Sequence, residues 1–386
     1  MPSVSKTLAC QELVAQRQKQ NLKVYNFGLG ANPITQPQSF INAVNKYSHH
    51  KQYTSPKGIP ELNETIKKMW TTSKYKVENV VFGNGLKELL FVAQMSFDGT
   101  IIQLTPSWVG YKEQIRALNK LDKLVEIEAL LENDFKVTPQ QLDESCSKHS
   151  GPKMLIFNNP DNPTGVMYTP DEVKKIAEVC QKHDVIVLTD EIYMNINHFN
   201  EFQTIADFIP HLTIRGSSVS KDLACGGYRL GWMTFPKELN DFYDVNLMNA
   251  VVIYSCTCTP IQYATNEILN DSQVLKEYFD FQNKTFKDIV KQCFDVIKES
   301  KIGYVYPTSA WYTFLNFDQY KTQLQKININ NSDDLSIYLL NEIGIVTVPG
   351  ECFHVDGLNL RFSFVDTIEN MLEGLKKMID FLNNLD

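Results

Sequence analysis

The sequence predicts an α/β protein: a large domain built on a mostly parallel, helix-covered sheet, joined to a smaller α+β domain. Three observations lead there. The chain is 386 residues long, more than a single hydrophobic core usually serves, so two domains are expected. From about residue 78 onward, short β-branched runs alternate with helical patterns, as they do where parallel strands are joined by crossover helices. After residue 271 that alternation gives way to one long helical pattern and then a cluster of strand-like runs.

In chain order, residues 4–20 read as a polar amphipathic helix, Val24–Leu29 as a short strand, and Leu29–Pro37 as a loop from its Gly and Pro content. Helices follow at 38–48 and 59–73, the second opened by Pro60 and Glu61, residues suited to a first helical turn. The strand-like runs are Val80–Phe82, Ile101–Leu104, Lys123–Ile127, Met154–Phe157, Val185–Leu188 and Leu212–Ile214. Ligands of such a sheet bind beyond the carboxyl ends of its strands, which is where most of the motifs below fall. A helix at 272–299 bridges to the smaller domain. There Gly303–Tyr306, Trp311–Leu315, Ile345–Val348 and Leu358–Phe364 read as strands, 328–334 as a polar loop, and 367–384 as a closing helix. The expected division is therefore an N-terminal segment, 1–37, packing with the small domain, a large domain, 38–271, and the small domain, 272–386.

Composition narrows the function. With 43% hydrophobic and 21% charged residues the chain is ordinary for a soluble globular protein. A net charge of −8 disfavours nucleic acid and anionic membranes as partners. No apolar run approaches the roughly 20 residues of a membrane span, and the first ten residues lack an apolar signal core. Eight scattered cysteines have no zinc spacing, so a cytoplasmic protein with reduced thiols is expected, with no metal.

The chemistry centres on Ser217-Ser-Val-Ser-Lys-Asp-Leu-Ala-Cys-Gly-Gly-Tyr-Arg-Leu-Gly-Trp232. Lys221 follows an apolar run where the chain must turn, which suits an amine presented from a loop. Such an amine condenses with an aldehyde, the more readily when desolvation or nearby positive charge lowers its pKa. Ser218, Ser220 and Arg229 offer two hydroxyls and a planar cation, the groups that hold a phosphate. An aldehyde that carries a phosphate is pyridoxal 5'-phosphate. The plain alternative is a solvent-facing lysine and a surface arginine beside a turn.

This run resembles the lysine signature of the class I/II aminotransferases, the fold-type I family that uses pyridoxal phosphate, with a seven-stranded sheet. The spacing Ser-x-Ser-Lys … Gly-x-Arg-x-Gly is matched almost throughout; Cys225 stands where the family usually has an aliphatic residue. The resemblance extends from Gly30 to Arg361 and implies a role for each matching residue. In Thr189-Asp-Glu-Ile-Tyr193, Asp190 would meet the pyridine nitrogen and Tyr193 the phenolic oxygen of the cofactor. A buried carboxylate needs a cation, and a protonated pyridine is one; an N-cap aspartate beside a core tyrosine is the other reading. In Asn158-Asn-Pro-Asp-Asn-Pro-Thr-Gly165 the matching Asn162 would donate to that same phenolic oxygen, unless the turn is purely structural. Gly85, Leu86 and Lys87 match the phosphate loop at a helix start. Trp108 matches the aromatic that stacks on the pyridine, or is a core tryptophan.

Arg361 lies alone in an apolar strand and must find an anion; the family's arginine grips the substrate α-carboxylate in a fork, and a structural salt bridge is the duller option. Gly30 resembles the glycine whose backbone lies against that carboxylate. Tyr53-Thr-Ser-Pro-Lys-Gly resembles a segment that crosses a two-fold interface, so that Tyr53 would reach the partner's cofactor phosphate in a homodimer with shared active sites. The implied reaction is a ping-pong transfer between an L-amino acid and a 2-oxo acid, with Lys221 as general base and acid.

Substrate choice turns on Lys87. A lysine there, with Trp108-Val-Gly-Tyr111, resembles the aspartate and prephenate aminotransferases, in which it meets the distal carboxylate. Leu86, Glu88 and the Ala31-Asn32-Pro33 loop depart from that subgroup, and Glu88 could instead neutralise Lys87. Acidic donors such as aspartate or glutamate are favoured, with aromatic or alanine-type donors open. A lyase on the same fold, such as a C–S β-lyase or a cyclopropane-forming synthase, is the competing chemistry.

Overall fold

A computed structural model of the protein describes residues 14–199 and 201–385. Residues 14–19 are helical; the rest of the expected first helix, 4–13, lies outside the described residues. Strand β1 is only Tyr25–Asn26. Seven strands then form the main sheet: β2 (Asn79–Gly83), β3 (Thr100–Thr105), β4 (Leu124–Glu128), β5 (Lys153–Asn158), β6 (Val185–Asp190), β7 (Thr213–Ser218) and β8 (Gly231–Phe235). Their order is β2-β8-β7-β6-β5-β3-β4, parallel except that β8 runs antiparallel to both neighbours.

β5 and β6 each carry a continuous apolar run because helices cover both faces. Met154, Leu155, Ile156 and Phe157 of β5 are all buried, as are Val185, Val187 and Leu188 of β6. The helices carry matching local signals. Helix Pro170–Lys182 opens with a capping box, Glu172 N–H donating to Thr169 Oγ1 (3.3 Å) and Thr169 N–H to Glu172 Oε2 (2.7 Å). It buries Val173, Ile176, Ala177 and Cys180, one stripe at helical spacing. Helix Leu86–Ser96 is closed differently: Lys120 Nζ donates to the carbonyls of Gln94, Met95 and Phe97 at 2.8–3.0 Å, a cation on the negative end of the dipole.

A second core joins the N-terminal Tyr25 and Phe27 to Val290, Cys293, Phe294 and Ile297 of helix Ser272–Ile297 and to Met371, Leu375 and Met378 of helix Ile368–Asn383. Around it lie β9 (Tyr312–Asn316), β10 (Ile345–Val346), β11 (Val348–Pro349) and β12 (Asn359–Ser363). They form an antiparallel sheet β11-β12-β9 and a parallel pair β1-β10.

Two sequence expectations differ from the structure. Residues 303–306 form no strand: Gly303 makes one bridge to Asn316, after which Tyr304 and Tyr306 turn their rings onto Phe294 at 5.0 and 4.9 Å and Pro307 has no N–H to donate. Residues 328–334 are not loop throughout, because Asn331 caps a helix, Ser332–Tyr338, by accepting from Asp334 N–H at 2.9 Å. No helix among the described residues is long and apolar enough to cross a membrane.

Candidate active site

The register of the sheet brings the motif-bearing strand ends together. Asn158 pairs with Asp190 and Asp190 with Gly216, so β5 and β6 finish level and β7 runs two residues farther. The loops that leave these ends carry Asn162, Tyr193 and Lys221, and they line a cavity of about 500 Å³. Lys221 extends its Nζ to the carbonyl of Gly30 and lies 5.8 Å from the Tyr193 ring centre and 5.7 Å from that of Trp311. The turn beneath it is held by Ser220 N–H donating to Ser218 Oγ at 3.2 Å and Cys225 N–H to Val219 O at 3.0 Å.

Asp190 ends β6 in a dry place. Its carboxylate accepts from the Tyr111 hydroxyl at 2.8 Å and the Ile192 N–H at 3.1 Å. Burial pushes its pKa up to about 6 against the opposing pull of those hydrogen bonds and the Lys221 charge. A carboxylate so placed is one cation short. Across the cavity the Tyr193 hydroxyl lies 3.1 Å from that of Tyr312, which also donates to Gly30 O at 3.1 Å. Burial and the neighbouring Tyr312 phenol hold Tyr193 protonated well beyond the usual range.

Arg361 is 7% exposed. Its Nη2 donates to Gly28 O at 2.8 Å and its Nη1 to Asn162 Oδ1 at 3.4 Å, while its plane faces the rings of Tyr312 (4.8 Å) and Phe353 (5.3 Å). Nε has no hydrogen-bond partner, and no carboxylate among the described residues pairs with the guanidinium. The structural salt bridge that the sequence left open is absent there.

The phosphate-loop residues sit at the start of helix Leu86–Ser96, with Gly85 at φ +83° as the residue before it. A Cβ on Gly85 would lie 2.4 Å from Arg229 Nη2, so a side chain there would displace the guanidinium, at a positive φ that favours glycine. Arg229 donates to Gly226 O and Asn84 O, both at 2.8 Å, and stands ready beside the free N–H groups of the helix start. Glu88 does not neutralise Lys87: its Oε2 accepts from the backbone N–H (2.7 Å) and the side-chain amide (2.9 Å) of Asn84. The Lys87 amine instead lies 5.6 Å from the Trp108 ring centre. Trp108 is partly exposed at the cavity, edge-on to Tyr111, and folds over Gly110, where a Cβ would lie 2.1 Å from its ring. Tyr53 does not reach this cavity at all; it is 94% exposed.

Behind the site, Arg215 on β7 makes two bonds to Glu191 Oε2 at 2.8 and 2.9 Å and stacks on Trp70 at 4.4 Å, tying the residue after Asp190 to the strand that leads to Lys221. Sequence reasoning assigned no role to Tyr111, Tyr312 or Asn32. Tyr111 was recoverable, because it lies one helical step beyond Trp108. Tyr312 arrives from β9, and nothing local to it signals a place beside Lys221.

The sequence profile of the family described as aminotransferase class I and II matches residues 20–378. The chain belongs to this family. As an aminotransferase it can be set beside named relatives. An aspartate aminotransferase of Geobacillus stearothermophilus is 28% identical over 97% of this chain and 96% of its own. A probable aspartate/prephenate aminotransferase of Rickettsia bellii is 29% identical over 97% and 95%. The crystal structure of an aspartate aminotransferase from Thermotoga maritima superposes with a TM-score of 0.86 at 25% identity, covering 100% of both chains. The fold expected of this aminotransferase, a mostly parallel seven-stranded sheet with a smaller second lobe, is the fold observed.

Proposed function

We propose that the enzyme uses pyridoxal 5'-phosphate to move an amino group between an acidic L-amino acid, aspartate or glutamate, and a 2-oxo acid. The observation that carries this reading is the meeting of the Lys221 amine and the buried Asp190 carboxylate around one cavity, with the Arg361 cation joined to its wall by a 3.4 Å hydrogen bond to Asn162. The residues fit the group. An aldehyde needs an amine, which is Lys221. A pyridine nitrogen needs a buried carboxylate, which is Asp190, its pKa lifted by burial. A phosphate needs N–H groups and hydroxyls, which Gly85, Leu86 and Lys87 at the helix start, Ser218, Ser220 and Arg229 supply.

Bound there, the cofactor supplies an electron sink for the charge that develops at the substrate α-carbon. The protein's own groups do the rest. Asp190 would hold a proton on the pyridine nitrogen, Tyr193 and Asn162 would serve the phenolic oxygen as donors, and Trp108 would serve the ring as its aromatic neighbour. Arg361 fixes the substrate α-carboxylate against the backbone of Gly30, which sets the α-proton toward Lys221. The Lys221 amine would take that proton and later give it back, acting first as general base and then as general acid. Lys87, with Glu88 engaged elsewhere, meets the distal carboxylate.

A homodimer with shared sites belongs to the same reading. Its support is the exposure of Tyr53 and of an apolar row on helix Asn240–Ile253, with Met248 at 60%, Val251 at 50% and Val252 at 80%. The division into segment 1–37, large domain 38–271 and small domain 272–386 is supported by one core that gathers Tyr25 and Phe27 with residues from 290 onward and by others built almost wholly from residues 40–275, while two small clusters join the lobes. A cytoplasmic location is consistent with thiols, rather than disulfides, at the described cysteines. Purified protein supplied with pyridoxal phosphate should turn yellow and transaminate aspartate or glutamate with 2-oxo acids. Pyruvate and ammonia from a sulfur amino acid, without amino transfer, would replace this reading with a lyase.

A further inference from the structure

We infer that Asn32 and Gln282 are positioning residues that clamp the main chain of Lys221 and connect it to the second lobe. Gln282 sits on the buried stripe of helix Ser272–Ile297, whose other buried members are Leu275, Phe286, Val290, Cys293, Phe294 and Ile297. A leucine would pack there without any polar atoms to satisfy, so the amide must earn its place through hydrogen bonds. Both ends of it are used. Nε2 donates to the carbonyl of Asp222 at 2.6 Å, and Oε1 accepts from Asn32 Nδ2 at 2.6 Å. The same Asn32 amide donates to the carbonyl of Lys221 at 2.8 Å, while Asn32 Oδ1 accepts from Ile34 N–H at 3.0 Å. The carbonyls on either side of the Lys221–Asp222 step are therefore gripped by two side chains that are themselves joined.

The next residue of the helix reinforces the hold. Asn283 donates to Asn195 O at 3.1 Å and accepts from Asn197 N–H at 2.8 Å, and Asn195 Nδ2 donates to Asp222 Oδ2 at 2.7 Å. Asn32 lies two residues from Gly30, the acceptor of the Lys221 amine, so one loop touches both the lysine's backbone and its reactive end. Farther along, Val290, Cys293 and Phe294 of the same helix belong to the second hydrophobic core. A displacement of that lobe thus reaches the lysine through Gln282. Asn32 belongs to the loop in which the chain departs from its resembling subgroup, and its amide makes this contact.

The inference rests on Lys221 being the reactive amine, and the experiment separates the two. Full-length Gln282→Met, Asn32→Ala and a control, Gln94→Met, are prepared with pyridoxal phosphate. Gln94 is an equally buried, doubly bonded amide at the far end of helix Leu86–Ser96. Gln282→Met and Asn32→Ala should each lower kcat roughly tenfold to a hundredfold with little change in KM, the cost of a misaimed group. Both should shift the midpoint of the visible-absorbance pH titration and slow borohydride fixation of the vitamin onto Lys221. Gln94→Met should lower thermal stability alone. If Gln282→Met fails to fold, Asn32→Ala, on a half-buried loop, decides by the same three readouts. Both variants matching the control in kcat, titration and fixation would overturn the inference while leaving the lysine's role intact. Undiminished turnover in Lys221→Ala would overturn both.

Discussion

Asp190 offers a prediction in which stability and function move in opposite directions. In the protein without cofactor, burial lifts this carboxyl from 3.8 to about 6. The folded group therefore binds its proton more tightly than the unfolded one, so the folded state holds extra proton between those two values and stability falls as pH rises through that window. Above it the full cost remains. A displacement of about two pKa steps at about 1.4 kcal/mol each is roughly 3 kcal/mol. Asp190→Asn removes the charge but leaves an amide N–H₂ without an acceptor, an opposing cost of about 1–3 kcal/mol. That second cost does not titrate. The difference in unfolding free energy between the Asn variant and the parent should thus shift in favour of the variant by about 2 kcal/mol from about pH 4.5 to about pH 8. Urea unfolding of both proteins at each pH, followed by tryptophan fluorescence, measures it. With pyridoxal phosphate present the sign should reverse, since the parent's carboxylate then has a cation and the variant has none. A difference that stays flat with pH, or the same slope with and without the vitamin, would refute the reasoning.

Other outcomes follow from single contacts. Lys87→Ala should cost about 2 kcal/mol of transition-state binding for aspartate, roughly thirtyfold in kcat/KM, while an aromatic donor is spared; equal loss on both would remove Lys87 from substrate recognition. Gly85→Ala places a methyl 2.4 Å from Arg229 Nη2 at a positive φ, and equilibrium dialysis should show weakened retention of pyridoxal phosphate with the helix content unchanged by circular dichroism. Glu191→Gln leaves the buried Arg215 guanidinium without its counter-charge and should lower the unfolding free energy by about 3–5 kcal/mol in a urea titration. Lys120→Met strips three carbonyls of their donor and should lower the melting temperature without altering KM.

Much of this molecule could be read in advance because its signals are local. β5 and β6 announce themselves as unbroken apolar runs, and Thr169 with Glu172 marks a helix start within four residues. The site was legible for the same reason: Lys221, Asp190 and Asn162 each sit in a short run whose composition is unusual by itself. What could not be read depends on partners far along the chain. Gly303–Tyr306 has strand-like composition, yet the neighbouring Phe294 takes its aromatic rings and leaves one bridge. β8 starts on the last two residues of the lysine motif and shows itself only through its antiparallel neighbours. Gln282 looks like any polar residue on a surface helix until the loop of Asn32 closes over it.

The edge strand β2 has a single neighbour, β8, and Gly83 pairs there with Gly231, 231 − 83 = 148 residues later. As the ribosome delivers the chain, β2 must wait for the last strand of its sheet, a delay of roughly 7–30 s at common elongation speeds. Gly85 lies two residues past Gly83 and Arg229 two residues before Gly231, so the two flank the same end of that pairing. The cradle for an anion is thus not pre-built on a nascent fragment; it snaps into being with the final long-range closure of the sheet. Vitamin capture during refolding should then lag behind helix formation and keep time with the arrival of β8.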